Sequence, residues 1–182
     1  MEGSALRPPE RFETRRLTLR PPVTKDAKSI YDNYATDRLV TRYLHWHPHE
    51  TISETKNFIK RCKNVWLAGT AFPWMLCLKE NAEIIGMVEL RIDDHRADLR
   101  YVLAHPYWEQ GYATEAAKMI VDWALAQPPI CRVWAVCDVD NLPSVRVLEK
   151  IGMQREGILR RWLFHPNIDK APRDCYVYSI IK

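Results

Sequence analysis

The stretch Tyr107–Ala116, "YWEQGYATEA", decides how this chain reads. It follows the apolar run "LRYVLAHP" and opens the helical pattern "ATEAAKMIVDWALAQ". A glycine, Gly111, and a small residue, Ala113, stand at that joint. The first N–H groups of a helix lack intrahelical acceptors, and the helix dipole adds partial positive charge there. Such a place holds an anion with bare backbone, so small residues count for more than reactive side chains. Gly111 would let phosphate oxygens approach the main chain, Ala113 keeps the next position narrow, and Thr114 offers a hydroxyl. A glycine before a helix is also an ordinary turn residue. Two familiar nucleotide loops are excluded: the stretch is not G-x-x-x-x-G-K-[ST], and it lacks the three glycines of the dinucleotide fingerprint.

Around this joint the elements follow from periodicity. "RLTLRPP" (Arg16–Pro22) alternates and stops at prolines, as a short strand does. Ala27, Ile30, Tyr31 and Tyr34 have helical spacing. Thr51 and Glu54 have capping-box spacing ahead of a second helix, with Gly69 as its stop. "FPWMLCLKENAEIIGMVELRIDDHRADLRYVLAHP" reads as three antiparallel strands turned near Glu80–Asn81 and Asp93–Arg96. A helix from about Ala113 to Gln127 carries Ala113, Ala116, Ala117, Ile120, Val121 and Ala124 on one stripe and ends at Pro128 and Pro129. "CRVWAVCDV" is a buried strand. "NLPSVRVLEKIG" is a short helix starting near Asn141 or Leu142 and ending at Gly152, and two strands close the chain. The expected architecture is one mixed α/β domain over residues 1–182, with 1–12 as a loosely held lead-in.

Composition bounds the function classes. The chain has 182 residues, 47% of them apolar and 27% charged, with a net charge of +4. Its basic residues are scattered among acidic ones with no basic arm, which argues against nucleic-acid binding. No apolar run is long enough to span a membrane, and the start lacks the apolar core of a signal peptide, so a cytoplasmic location is expected. Cys62, Cys77, Cys131, Cys137 and Cys175 form no C-x-x-C pair and are odd in number, as expected of free thiols in a reducing compartment.

"YWEQGYATEA" resembles the Q/R-x-x-G-x-G/A motif of the GNAT superfamily of N-acetyltransferases, in the form used by the RimJ/RimL-like ribosomal-protein alanine acetyltransferase branch. The likeness covers most of the chain. "ETRRLTLRPP" is similar to that branch's opening strand, "RYLHWHPHE" to its loop and "IIGMVELR" to its third strand. "DVDNLPSVRVLEKIGMQREG" is similar to its N-x-x-S-x-x-x-L-E-K-x-G-F-x-x-E-G signature. Trp108 replaces the Gln or Arg common in the superfamily, and Met153 stands where Phe is usual. The resemblance implies an α/β (α+β) GNAT fold: a central, mixed, mostly antiparallel seven-stranded sheet flanked by about four helices. It implies acetyl-CoA as co-substrate, no metal, an amine-bearing acceptor (a protein N-terminus or a small molecule), and a chain that can pair as a homodimer. The alternative is a non-catalytic acyl-CoA-binding module.

The resemblance also implies site residues. The backbone N–H of Val102 would polarise the thioester carbonyl, and Ala104 would pair with the pantetheine arm. The amides of Gln110, Gly111, Tyr112, Ala113 and Thr114 would hold the pyrophosphate. An amine of pKa ~10 is almost wholly protonated near neutrality, so a base is required. Asp98 matches the strand position of that base in some relatives, with Glu89 one strand back as the alternative, and a solvent-facing charge as the plain reading of Asp98. Many relatives use as acid a tyrosine seven residues after the asparagine; here that position is Leu148. Ser144 takes its place, or simply occupies a helix's first turn. Asn141 would bond the pantetheine amides or cap the helix, and Arg146 or Lys150 would reach a phosphate of CoA or remain solvated. Trp46 and His47 are expected substrate contacts in the loop "LHWHPHE", whose histidines and Glu50 lack a second Cys/His cluster to complete a metal site. Trp162, Tyr176 and Tyr178 would line the same cleft or fill the core, with the core favoured.

Overall fold

The computed structural model describes residues 6–182. Eight strands form one sheet in the order β1-β2-β3-β4-β5-β6-β8-β7: β1 Phe12–Glu13, β2 Leu17–Arg20, β3 Phe72–Leu78, β4 Ile84–Asp93, β5 Arg96–Leu103, β6 Arg132–Asp138, β7 Gln154–Leu163 and β8 Arg173–Ile181. Among the described residues, only β5 and β6 pair in parallel. The helices are α1 Ala27–Ile30, α2 Arg38–Thr41, α3 Ile52–Ala68, α4 Tyr112–Ala126 and α5 Leu142–Lys150, and α1 continues into a π-helical turn, Tyr31–Ala35.

The mixed α/β fold is the expected one, with one strand and one short helix added. The extra strand, β1, pairs Phe12 with Leu19. It falls at the end of the lead-in, whose residues 1–5 lie outside the described residues. The rest of that segment is tied down: Pro9 O accepts from the Trp74 indole at 3.1 Å, and Phe12 packs edge-on to Trp74 and Trp123. The extra helix, α2, is capped by Asp37, whose carboxylate accepts from Leu39 N and Val40 N. Of the capping box at α3, only half forms. Thr51 Oγ1 accepts from Glu54 N, while Glu54 Oε2 accepts from Glu50 N rather than from Thr51.

All seven residues of β3 are buried, because helices cover both faces of the sheet. On one face Trp74, Leu76, Val88, Leu90 and Leu99 meet the α4 stripe, where all six expected residues are buried. On the other, Met75, Cys77 and Val102 meet Ile30, Tyr34 and Ile59. Cys62, Cys77, Cys137 and Cys175 are buried and only Cys131 is exposed; burial pushes the Cys137 thiol up to about 12. Tyr178 is buried, as expected of a core residue, but Trp162 is half exposed and lines a cleft.

One glycine sets the spacing of the strands that carry the site. A Cβ on Gly86 in β4 would stand 2.3 Å from Val102 O in β5. Gly86→Ala must therefore push β5 away from β4. The expected cost is about 1–3 kcal/mol, a fall in Tm of roughly 2–12 °C for a chain of this size, read by thermal denaturation. An unchanged Tm would contradict this spacing.

Candidate active site

The site begins where β5 and β6 part. They pair at Arg96↔Arg132, Ala97↔Val133 and Asp98↔Trp134, and there the pairing stops. On its other side β5 remains paired with β4, without slip, from Arg96 to Leu103, and Ala104 N–H donates to Ile85 O at 2.8 Å. In an antiparallel ladder alternate residues exchange both backbone bonds with the partner strand. Arg100, Val102 and Ala104 thus direct their N–H groups at β4, while Tyr101 and Leu103 direct theirs into the gap. The indole of Trp108 takes Leu103 O at 2.7 Å on that same side. The gap-facing groups expected at Val102 and Ala104 are therefore displaced by one residue, to Tyr101 and Leu103. Sequence alone could not fix this parity, since it depends on whether a bulge interrupts β5.

A cleft of about 1300 Å³ lies along this gap. One end is the start of α4. Gly111 takes φ +80° and Glu109 φ +61°, so the chain turns sharply into the helix. No side chain caps α4, and its first backbone bond runs from Glu115 N to Gly111 O, which leaves the preceding amides open. Gly111, Ala113 and Thr114 line the cleft. Gln110 and Tyr112 are not among the lining residues: the Gln110 side chain donates to Pro106 O, and the Tyr112 ring lies 4.0 Å under the Arg16 guanidinium. Arg16 also pairs with Glu115 at 2.7 Å and donates to Gln110 O. Burial tends to raise the Glu115 carboxyl, yet bonds from Thr14 and Arg16 hold it below the usual range. This tether of β2 to the turn was not legible in the sequence, because its partners are far apart along the chain.

Across the gap, α5 starts at Asn141, whose side-chain oxygen accepts from Ser144 N at 3.3 Å. Capping therefore occupies Asn141 Oδ1, and Asn141 lines the cleft with its amide NH2 left over from the cap. Ser144 Oγ lies 2.6 Å from the hydroxyl of Tyr101, and Leu148 is buried in the core. Tyr101 was missed in the sequence; burial, partly offset by its bond to Ser144, raises its pKa.

The opposite end of the cleft holds both carboxylates. Glu89 and Asp98 are buried, paired with Arg91 and Arg100 at 2.6 and 2.8 Å. Burial pushes the Asp98 carboxyl above its usual range against the pull of Arg100. His45, Trp46 and His49 line the cleft. Desolvation, with Arg100 and Arg91, lowers the His45 pKa, although its ring still meets solvent. His47, the expected contact, points elsewhere: its Nδ1 lies 2.9 Å from Asn167 Oδ1, and Asn167 ties the β7–β8 loop to Thr41 O and Trp46 O. His165 of that loop is buried 3.5 Å from Asp138, which Arg173 engages. No group of three or more His, Cys, Asp or Glu is placed to hold a metal among the described residues. Nor is any described helix long and apolar enough to cross a membrane.

A parted pair of strands beside an uncapped helix start offers free backbone groups to an extended ligand ending in phosphate, and similarity to known proteins gives the class, an acyl-CoA-dependent N-acetyltransferase. The family described as acetyltransferase (GNAT) domain matches residues 16–154, and the chain belongs to it. It is 30% identical over 179 residues to a protein named uncharacterized N-acetyltransferase p20 of Bacillus licheniformis, covering 95% of this chain and 97% of the relative. It is 25% identical over 150 residues to spermidine N(1)-acetyltransferase of Escherichia coli, covering 81% and 78% of the two chains. Its fold also matches RimL, a ribosomal L7/L12 alpha-N-protein acetyltransferase in complex with coenzyme A, with a TM-score of 0.84 at 18% identity over 94% of this chain and 98% of that one.

Proposed function

We propose that this chain moves the acetyl group of acetyl-CoA directly to a primary amine, with Asp98 as the base. The observation that carries this reading is the buried Asp98 standing where β5 and β6 part, in the same cleft as the bare amides of α4. The amides from Gln110 to Thr114 hold the pyrophosphate. The pantetheine arm lies in the gap, bonded by Tyr101, Leu103 and the Asn141 amide, and one of the two gap-facing N–H groups polarises the thioester carbonyl. The amine nitrogen attacks that carbon, the C–N bond forms, and the C–S bond breaks. Asp98, directly or through a water, first takes the proton that keeps the amine charged and so frees its lone pair for the attack. The second N–H proton passes to solvent as the amide forms. Sulfur departs as a thiolate, accepts a hydrogen bond from Ser144 and gains its proton from solvent. Glu89 remains the alternative base.

The relatives' names offer a polyamine and a protein N-terminus as acceptor types, and either supplies a primary amine. Buried free thiols support a reducing, cytoplasmic setting. Pairing of two copies through β7, the sheet edge that exposes Ile158 and Trp162, is part of this reading and is tested by light scattering.

The test of transfer is amine-dependent release of CoA thiol across peptides, polyamines and amino acids. Strong stabilisation by acetyl-CoA with no release from any acceptor would favour a binding module instead. Ser144→Ala and Tyr101→Phe are each expected to lower kcat by about tenfold, the worth of one neutral hydrogen bond at the upper end. If the two hydroxyls act as one unit, the double variant loses little more than either single one. Full additivity would separate them.

A further inference from the structure

What the acceptor carries besides its amine is written on the floor of the cleft. β4 contains Glu89-Leu-Arg91 and β5 contains Asp98-Leu-Arg100. Strand alternation puts all four charged residues on one face, and the register sets Glu89 opposite Arg100 and Arg91 opposite Asp98. The four side chains form a rectangle of alternating sign with no net formal charge.

Exposure breaks that balance. The Glu89 and Asp98 side chains are 11% and 12% exposed, whereas those of Arg91 and Arg100 are 44% and 43% exposed. Arg91 turns Nε toward Glu89, and Arg100 turns Nε and one terminal nitrogen toward Asp98, which leaves further N–H donors on two arginines that line the cleft. An entering molecule thus meets guanidinium before carboxylate. Of the other carboxylates lining the cleft, Asp138 is buried against Arg173, whereas Asp140 beside Arg173 and Glu109 beside Arg146, 4.0 Å away, stay exposed. Arg42 and Arg61 add two more cations to the walls. Planar guanidinium donors suit the paired oxygens of a carboxylate or phosphate. A polycation would bring like charge against them.

We propose that the acceptor is an anionic amine, a small molecule bearing a carboxylate or phosphate beside its primary amine. Arg91 and Arg100 grip the anion and so turn the amine toward Asp98. This rests on the acetyl-transfer reading and narrows its substrate class. Arg91 and Arg100 are specificity-determining residues, distinct from the base.

The experiment compares matched amines that differ in the anion: β-alanine with propylamine, and O-phosphoethanolamine with ethanolamine, with spermidine as the polycation. Two readouts are taken, kcat/KM from thiol release and calorimetric binding to the protein saturated with CoA. The expected result is at least a tenfold preference for the anionic member of one pair or both. Whichever pair shows it identifies carboxylate or phosphate. In Arg91→Gln and Arg100→Gln the ratio within the preferred pair should collapse toward one, and using a ratio cancels general damage to catalysis. Equal use of both members, or preference for spermidine, overturns the proposal while acetyl transfer stands. Selective binding of the anionic amines without thiol release does the reverse: it supports the proposal and overturns transfer. The unaltered protein decides between these outcomes even if a variant fails to fold.

Discussion

Gly111→Val is expected to raise the KM for acetyl-CoA by about 10- to 100-fold while leaving the KM for the amine nearly unchanged. Two effects combine. Gly111 sits at φ +80°, where a β-branched residue is strained by about 1–3 kcal/mol. The added side chain also hinders the amides that should meet the pyrophosphate, and each charge-assisted hydrogen bond lost is worth about 1.5–3 kcal/mol, where 1.4 kcal/mol is about tenfold in affinity. Crowding is not the cause, because the nearest atom to a new Cβ is Arg16 Nη2 at an ordinary 3.5 Å. Steady-state kinetics with each substrate varied gives the two KM values, and thermal shift with acetyl-CoA reports binding without turnover. Gly111→Ala, with the same φ problem but a smaller group, should show a weaker effect of the same kind. Unchanged CoA binding in both variants would remove the cradle from this site.

Asp98→Asn is expected to lower kcat by about 10²–10³-fold, within the range that a positioned base contributes, with little change in the KM for acetyl-CoA. The same variant should not lose stability. A carboxyl whose folded pKa is raised contributes stability below its unfolded pKa and loses it as pH rises through the folded value. At neutral pH the ionised Asp98 is therefore a burden on the fold, and Asn removes the charge while keeping an oxygen for Arg100. Tm at pH 7 should equal or exceed that of the unaltered protein, so that a fall in kcat cannot be charged to unfolding. Glu89→Gln tested in parallel decides between the carboxylates: a larger kcat loss there would make Glu89 the base.

Much of the fold was legible because its signals are local. Gly69 and Gly111 marked the end of α3 and the start of α4, turns near Glu80–Asn81 and Asp93–Arg96 marked the three central strands, and six apolar positions marked the buried face of α4. β1 was hidden because two residues carry no period. The charged floor had a readable trace, since Glu-x-Arg in β4 and Asp-x-Arg in β5 repeat one pattern. Its meaning needed the register, which aligns Glu89 with Arg100 and Arg91 with Asp98.

The sequence by itself determined that a bare helix start follows a central strand, and with it the donor half of the reaction. Helix capping, turns and periodicity act over a few residues, so one stretch of chain contains them. Only the tertiary structure decided that Tyr101 and Leu103, not Val102 and Ala104, direct their N–H groups into the gap, that Tyr101 meets Ser144, that His47 holds a loop, and that Arg91 and Arg100 stand more exposed than Glu89 and Asp98 on the floor of the cleft. Each of these depends on strand pairing or on burial between segments distant in sequence, and such contacts exist only once the chain has folded.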